Sequence, residues 1–265
     1  AGLNFRDVLV AMGLYPDPAE LGCECAGVVI KVGSAVKDLK PGDRVMAIGA
    51  GCFADTVTVT RSLAVKITDA LESTQATAIP VAYCTAYHSL VTLGKLQAGE
   101  SVLIHAATGG VGQAAIRIAQ SIGARVFATA SPHKWPRLKE LGVTDIHHSR
   151  TSEFADAILQ ATENRGVDVV LNTLPGEGRA RSLDATAQGG RLIEIGKGCN
   201  PDEMRSARPD IGLHVFDLST VCREEPETVQ QMLADAATWE STSEIETFAW
   251  NDTIEAFRRM QSGQH

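Results

Sequence analysis

The sequence predicts an α/β protein built from a doubly wound parallel sheet and a second, smaller antiparallel β-barrel. Three observations predict it. From about residue 74 the chain alternates apolar runs of strand length with segments of helical spacing, which is typical of a parallel sheet covered by helices. Residues 105–114, HAATGGVGQA, place glycines between such a run and a helix. Residues 1–70 instead show β-type patterning broken by turn residues.

The predicted strands are short and apolar. Those of the barrel lie near 25–33, 41–46 and 56–59. Those of the parallel sheet lie near 102–106, 125–129, 167–171 and 190–195, each followed by a segment of helical spacing.

The last forty residues lack a sheet of their own, so we expect them to return to the first domain. A helix is predicted near residue 226, where apolar residues recur at helical spacing. Residues 245–250, IETFAW, predict a strand, and a last helix begins at an Asn251/Asp252 cap.

Composition and charge exclude several classes of protein. The chain has 265 residues, 44% of them hydrophobic, and a net charge of −8, so we expect a globular protein that binds neither nucleic acid nor anionic membranes. No apolar stretch approaches the roughly 20 residues that cross a bilayer, and no signal segment precedes the first domain, which predicts a cytoplasmic location. The six cysteines form no CxxC pair and predict free thiols. The first residues resemble the middle of an element, which predicts a segment of a longer protein.

The glycine turn matches a dinucleotide-binding fingerprint in which the first glycine is replaced, Ala107-x-Gly109-x-x-Gly112. Gly109 would let the backbone approach a pyrophosphate, and Gly112 would let the helix pack on its strand. The turn and first helical residues, which also include Thr108, Gly110 and Val111, would offer backbone N–H groups to the anion. The alternative is a tight turn required only for packing. The strand before it and the helix after it favour nucleotide binding.

The next strand predicts which nucleotide binds. An NAD site carries an acidic residue about 20 residues beyond the turn, but the chain has Ser131 and Lys134 there. A hydroxyl and a cation suit a 2′-phosphate, so the predicted cofactor is NADPH. Lys134 is alternatively an ordinary solvated lysine, although a cation at a helix start is disfavoured by the helix dipole. Arg150 is either a further phosphate or adenine contact or a surface residue.

Zinc alcohol dehydrogenases combine a barrel and a sheet of this kind, so a zinc site is one possibility for this chain. The positions that hold metal ligands in that family carry Asn4, Cys23 and Val81 here. A single thiolate cannot form a tetrahedral site, and the adjacent His147 and His148 would point apart on a strand. We therefore expect no metal.

Blocks along the whole chain resemble the medium-chain reductases. Within that group the chain is most similar to the enoylreductase domains of type I polyketide synthases and animal-type fatty acid synthases. The blocks are LNFRDVLVAMGLYPD (3–17), PGDRVMAI (41–48), TAYHSL (85–90), ESVLIHAATGGVGQAA (100–115), FATASPHKW (127–135), GVDVVLNTLPGE (166–177), GGRLIEIGK (189–197) and HVFDL (214–218).

The resemblance implies a Rossmann-type NADPH-binding domain at 79–220, a GroES-like catalytic domain at 1–78 and a return to the catalytic domain at 221–265. It implies NADPH-dependent reduction of the 2,3-double bond of a 2-enoyl thioester on an acyl carrier protein. Neighbouring synthase domains, and a possible homodimer, are the further partners that it implies.

The reaction requires hydride delivery to Cβ, a proton at Cα and stabilisation of an enolate. Tyr15 resembles the tyrosine that the family places in its active-site cleft, or is a surface tyrosine packed on Pro16. Lys197 follows a strand at the edge where ligands of open α/β sheets bind, and is a general acid, an enolate-stabilising cation or a solvated loop residue. Asp217 matches a family aspartate near that lysine, and is either a capped turn or the partner that holds Lys197 charged.

Four further positions match family contacts to the nicotinamide half of the cofactor. They are Asn4, Thr85, Asn172 and Gly196. Asn172 is alternatively a turn residue after a strand.

Two other functions stay open at this point. One is a free-standing NADPH quinone or alkenal oxidoreductase with the same fold, which a comparison of thioester and quinone substrates distinguishes. The other is a catalytically silent nucleotide-binding domain of a megasynthase, which would bind NADPH without turnover.

Overall fold

The computed structural model describes residues 1–239 and 245–263. The chain divides into two units, the first comprising Ala1–Cys84 and Leu218–His265 and the second Thr85–Asp217. The domain boundaries expected at 78/79 and 220/221 stay predictions. Residues 240–244 and 264–265 of the expected return segment lie outside the described residues.

The second unit contains a six-stranded parallel sheet. Its strands are β4 (Ser101–Ile104), β5 (Arg125–Ala130), β6 (Asp145–His148), β7 (Val167–Asn172), β8 (Thr186–Glu194) and β9 (Gly212–Val215). They lie side by side in the order β6-β5-β4-β7-β8-β9. The four predicted sheet strands are confirmed. All of β4 is buried, which explains why its sequence is a continuous apolar run.

Helices connect these strands, as the alternating pattern predicts. They are α4 (Gly110–Ile122), α5 (Trp135–Glu140), α6 (Phe154–Ala161), α7 (Gly176–Asp184) and α8 (Pro201–Ala207). Helix α4 buries Ala115, Ile118 and Ala119 on one face, and it ends at Gly123, whose positive φ of 88° lets its N–H cap the last turn. A core of buried side chains, including Leu103, Phe127 and Leu192, lies in this unit.

The first unit contains a three-stranded antiparallel sheet of β1 (Glu24–Val28), β2 (Arg44–Ile48) and β3 (Ala64–Lys66). The strand predicted at 56–59 is wrong. Val57 and Val59 are half-buried while Thr56 and Thr58 are exposed, so the alternation is present, but these residues pair with no strand among those described. Period-two burial requires an extended chain and not a hydrogen-bonded ladder.

The remaining helices lie near the ends of the chain and, in sequence, between the strands of the two sheets. They are α1 (Phe5–Ala11), α2 (Ser73–Ala76), α3 (Pro80–Tyr87), a π-helix (His88–Leu93), α9 (Leu218–Glu224), α10 (Pro226–Ala236) and α11 (Thr253–Ser262), with 3₁₀ turns at Arg61–Leu63, Pro132–Lys134 and Trp250–Asp252. Helix α10 confirms the helix predicted near residue 226, and its four predicted apolar positions, Val229, Met232, Leu233 and Ala236, are all buried.

The strand predicted at 245–250 is wrong. Residues 245–249 are irregular, and Trp250 opens a 3₁₀ turn. Only Ile245 and Phe248 are half-buried there, three residues apart, so the segment lacks the alternation in burial that a half-buried strand shows. The last helix follows Asp252, close to its predicted cap.

Among the described residues, no helix is long and apolar enough to cross a membrane.

Candidate active site

The glycine turn joins β4 to α4 at the carboxyl edge of the sheet. Ala106 adopts a left-handed conformation, with φ 48°, and its carbonyl accepts a hydrogen bond from the Gly109 N–H at 2.9 Å. Gly109 then caps α4 without a side-chain hydrogen bond to the helix start. The first N–H groups of a helix have no intrahelical partner and carry the positive end of its dipole, so the start of α4, with Gly110 and Val111, suits an anion.

The two fingerprint glycines are required for different reasons. A Cβ on Gly112 would lie 2.5 Å from the Ala106 oxygen and 2.6 Å from the Ala107 backbone, so the helix packs where no side chain fits. A Cβ on Gly109 would meet only the Ala106 oxygen, at 3.3 Å. The packing of the chain alone therefore accounts for Gly112 much better than for Gly109. Close approach of a pyrophosphate to the Gly109 backbone would account for the glycine at that position.

The turn is closed by bonds from neighbouring elements. The Ala107 N–H donates to the Thr129 carbonyl of β5 at 3.1 Å, and the Gln113 side chain donates to the Thr108 carbonyl at 2.8 Å.

Ser131 and Lys134 lie in one turn directly after β5. The Lys134 N–H donates to the Ser131 carbonyl at 2.9 Å, and Lys134 caps α5. Burial lowers the pKa of Lys134, because partial desolvation disfavours its charged ammonium form. Arg150 is exposed after β6, and its N–H donates to Nδ1 of His148 at 2.9 Å.

Lys197 and Asp217 form an ion pair between Nζ and Oδ2. They are 20 residues apart, but they follow β8 and β9, which are neighbours with Glu194 opposite Val215. Their side chains are 33% and 29% exposed, so the pair is only partly screened by solvent. The ion pair agrees with the interpretation of Asp217 as a partner of Lys197, and its role in holding that lysine charged stays a prediction. A nearby carboxylate favours the charged form of a lysine.

Asn172 ends β7 and uses both ends of its amide inside the protein. Its Nδ2 donates to Glu194 at 2.7 Å and to the Leu174 carbonyl at 3.0 Å, and its Oδ1 accepts from the Ser182 hydroxyl at 3.1 Å. Thr85 is buried in α3, and the Gly196 N–H donates to Glu194 at 2.7 Å.

Asn4 and Tyr15 lie in the first unit. The Asn4 side chain donates to Oε1 of Glu24 at 2.6 Å, and its backbone N–H donates to Asp7 at 2.9 Å. Burial raises the pKa of Glu24 to about 7, against the opposing effect of the Val81 N–H and the Asn4 amide. Tyr15 is half-buried, and the guanidinium carbon of Arg6 lies 5.1 Å from the centre of its ring.

The positions that hold zinc ligands in related dehydrogenases do not fit a metal here. Asn4 donates its amide to Glu24, and Val81 offers only a backbone N–H to that carboxyl, at 2.9 Å. Burial raises the pKa of the Cys23 thiol, which opposes the thiolate that zinc requires. Within residues 1–239 and 245–263, no group of three or more histidine, cysteine or acidic side chains is arranged to hold a metal.

Sequence reasoning missed a set of buried polar residues beneath the predicted contacts. They include His105, Ser182 and Glu194, the last of which accepts from the partly buried Arg179. The signal was present in two of them, because His105 directly follows the apolar β4 and Glu194 interrupts the apolar run of β8. A polar residue within a buried strand must find a partner, so such positions mark internal hydrogen-bond networks.

Two family models match the chain. The alcohol dehydrogenase GroES-like domain matches residues 1–69, and the zinc-binding dehydrogenase family matches residues 110–238. Their ranges lie mainly in the first and second units, respectively.

Individual relatives show to which branch of these dehydrogenase families the chain is most similar. The chain is 42% identical to one component of the phenolphthiocerol/phthiocerol polyketide synthase of Mycobacterium tuberculosis, matching all of this chain and 13% of that protein. The CurK enoyl reductase structure is 37% identical with a TM-score of 0.94, covering 100% of this chain and 86% of that one. A quinone oxidoreductase of Pseudomonas syringae pv. Tomato DC3000 is 28% identical with a TM-score of 0.88, covering 100% and 86%. The chain therefore belongs to the enoylreductases of polyketide synthases, a branch of the medium-chain dehydrogenase/reductase superfamily.

Proposed function

We propose that this chain is an NADPH-dependent enoylreductase domain that reduces the 2,3-double bond of a 2-enoyl thioester on an acyl carrier protein. One observation carries the proposal: a single sheet edge holds both an anion-binding helix start, at Gly109–Gly112, and a lysine paired with a carboxylate, Lys197 with Asp217. The carboxyl edge of an open parallel sheet is where such proteins bind nucleotides.

The cofactor would be held by the loops that follow β4, β5 and β6. The start of α4 binds the pyrophosphate, and Ser131 and Lys134 select the 2′-phosphate, with Arg150 as a further contact. When bound, NADPH supplies the hydride for Cβ. Asn4, Thr85 and Gly196 are the proposed contacts to the nicotinamide half, and Asn172 contributes by holding Glu194 and the loop after β7.

The protein would supply charge and a proton. Lys197, kept charged by Asp217, stabilises the negative charge that develops on the thioester oxygen, and it holds a proton for Cα. The Tyr15 hydroxyl is the second proposed proton donor. An activated thioester requires only a modest contribution from either group, so neither is expected to be indispensable.

The proposed partners follow from the relatives. The chain spans 13% of the length of the mycobacterial synthase protein, so we propose that it works beside other synthase domains and receives its substrate from a carrier protein. Pairing of two copies is a further proposal.

The second candidate is a quinone oxidoreductase, which the Pseudomonas syringae relative represents at lower identity than the enoyl reductase. A silent nucleotide-binding domain is the third candidate, and the presence of Tyr15 and Lys197 together with the glycine turn argues against it.

Stopped-flow NADPH oxidation tests the proposal, with crotonyl-pantetheine compared against a small quinone. We expect the thioester to be the better substrate. Lys197→Ala should lower kcat by about 10- to 100-fold, and Tyr15→Phe should lower it by less. Both losses lie at or below the lower end of the range that is typical of general acids. Lys139→Ala, at an exposed lysine of α5, is the control. Preference for the quinone would support the second candidate, and NADPH binding without turnover the third. Unchanged rates in both variants would remove the two proton donors and leave the reductase.

A further inference from the structure

Four neighbouring strands, β5, β4, β7 and β8, each carry a buried polar side chain at the carboxyl edge of the sheet. A serine of α7 joins them into one hydrogen-bonded chain, which we call the buried row. Its members, none more than 1% exposed, are Thr129, His105, Ser182, Asn172 and Glu194. The loops that leave these strands carry the proposed cofactor and substrate contacts.

The bonds of the row fix the protonation of His105. Thr129 Oγ1 lies 2.9 Å from its Nδ1, and Ser182 Oγ lies 2.8 Å from its Nε2. The Ser182 oxygen also lies 3.1 Å from Asn172 Oδ1 and 2.7 Å from the Gly178 carbonyl, both of which only accept. If the single Ser182 proton went to His105, both of these oxygens would face the hydroxyl oxygen without a proton between them, so the arrangement favours donation from His105 Nε2 to Ser182. Burial lowers the pKa of His105 to about 3, which agrees with a neutral ring.

The orientation of Asn172 supports this assignment. Its nitrogen faces two acceptors, Glu194 Oε2 at 2.7 Å and the Leu174 carbonyl at 3.0 Å, so the oxygen is the end that faces Ser182. At the link between Ser182 and Asn172 the hydroxyl is therefore the donor, and it shares its single proton between Asn172 Oδ1 and the Gly178 carbonyl.

Glu194 ends the row and begins the Lys197 loop. Its Oε2 accepts from Arg179 at 2.7 Å as well as from Asn172, and its Oε1 accepts from the Gly196 N–H at 2.7 Å. Lys197 is the next residue. At the other side of the row, His105 directly precedes Ala106, whose left-handed conformation opens the glycine turn and requires support from its surroundings.

We propose that the buried row sets the position of the glycine turn relative to Lys197, and that neutral His105, bonded at both ring nitrogens, is its central positioning residue. This inference deepens the proposed function and rests on it. The row touches neither substrate nor cofactor in this proposal. It fixes where β4 and β8 end, and so where the pyrophosphate-binding N–H groups and the Lys197 ammonium group are presented.

The wild-type protein gives the first test, by NMR of histidine labelled with ¹⁵N. We expect His105 to show the Nε2–H tautomer and to stay neutral between pH 5 and 8, with its signal identified by its loss in His105→Gln. Titration near the ordinary histidine pKa, or an Nδ1–H tautomer, would overturn the inference. This readout requires no turnover.

Variants give the second test. His105→Phe removes both bonds of the ring, whereas His105→Gln keeps an amide nitrogen that can donate to Ser182. We expect His105→Phe to raise the NADPH dissociation constant and to lower kcat by about tenfold each, and His105→Gln to recover part of both, because buried groups left unpaired force the adjoining loops to shift.

The matched control lies at the opposite end of the same strand. Ser101→Ala removes a buried hydroxyl of β4 that donates to Asp168 at 2.8 Å, so it should lower the thermal midpoint without changing NADPH affinity or kcat. If His105→Phe behaves like Ser101→Ala, the inference is wrong. If His105→Phe does not fold, Ser182→Ala repeats the comparison. Failure of the wild type to bind or oxidise NADPH would instead reject the proposed function.

Discussion

At the amino edge of the six-stranded sheet two ion pairs reach solvent, whereas the buried row at the carboxyl edge is closed to solvent and mostly neutral. At the amino edge, Asp168 accepts from the Ser101 hydroxyl at 2.8 Å and pairs with Arg165, whose side chain is 56% exposed. Glu100 and Arg191 form a second pair there, with side chains 25% and 21% exposed. The buried row at the opposite edge has one ion pair, Arg179 with the fully buried Glu194.

The difference shows how one sheet separates stability from positioning. Losing one partner of an exposed ion pair costs little stability, because water replaces the lost partner. For the same reason such a pair does not hold its side chains in one geometry. A buried row has no such substitute, so each member depends on its neighbours for a fixed geometry. The buried row lies at the carboxyl edge, from which the proposed cofactor-binding loops leave.

The largest expected difference between the edges is in acid. The folded pKa of His105 is about 3 against 6.5 for an ordinary histidine, so as pH falls between these values the unfolded chain takes up a proton that the folded chain does not. The free energy of unfolding should fall by up to about 5 kcal/mol across that window. Urea unfolding from pH 7 to pH 4 checks this, and His105→Gln should flatten the loss.

At the amino edge, Asp168 titrates at a lower pH than His105 does. Burial opposes ionisation of Asp168, but Arg165 and Ser101 outweigh it and lower its pKa to about 2 from 3.8. Its contribution is therefore present above about pH 4 and lost as pH falls through 2. Asp168→Asn should leave the slope between pH 7 and 4 unchanged, and a flattened slope in that range would break the comparison.

The two arginines provide the next test, in urea unfolding at pH 7. Arg179→Ala leaves the buried Glu194 carboxylate without its cation and should cost about 3 kcal/mol. Arg165→Ala removes an exposed pair and should cost less than about 1 kcal/mol, decreasing with salt. Equal costs would show that burial does not distinguish the edges.

The fingerprint glycines separate packing from binding at the carboxyl edge. Gly112→Ala forces a methyl group against backbone and should lower the free energy of unfolding by about 1–3 kcal/mol, with NADPH binding lost in parallel. Gly109→Ala should leave the thermal midpoint nearly unchanged and weaken NADPH binding by about tenfold. Thermal unfolding and fluorescence titration measure the two effects. A Gly109 variant with full affinity would contradict a pyrophosphate at this turn.

The smallest effect concerns nucleotide preference. Lys134→Ala should reduce the preference for NADPH over NADH by about tenfold, because one charged contact to the 2′-phosphate is lost. Parallel titrations with the two nucleotides measure it, with Lys139→Ala of the same helix as the control. An unchanged ratio would assign the preference to Ser131 and Arg150.

Much of the fold was predictable because burial of whole strands leaves a simple pattern. The apolar run of β4, the spacing of α10 and the glycine turn each describe local structure. Two strand predictions were wrong because an apolar pattern does not by itself show that a segment pairs with another strand. Val57 and Val59 alternate in burial with their neighbours but have no partner strand, and residues 245–249 carry apolar residues without alternation.

For the candidate site, the sequence could place a residue only where it directly follows a predicted strand. The pairing of Lys197 with Asp217 was one of two alternatives, and it came from the family resemblance, because the pairing depends on β8 and β9 being neighbours, which no local pattern encodes. Ser182 lies in the middle of α7 and gives no local sign of its bonds to His105 and Asn172, because those arise from helix packing on the sheet.

The buried row also limits how this edge can be changed. Since each member donates to or accepts from the next, replacing one leaves an unmatched atom in each of its neighbours, and effects of single substitutions will not add. A reductase redesigned by grafting loops from a relative would have to take Thr129, His105, Ser182, Asn172 and Glu194 as one set. Within a library of such chimaeras, we expect cut points that keep this set intact to yield the active recombinants.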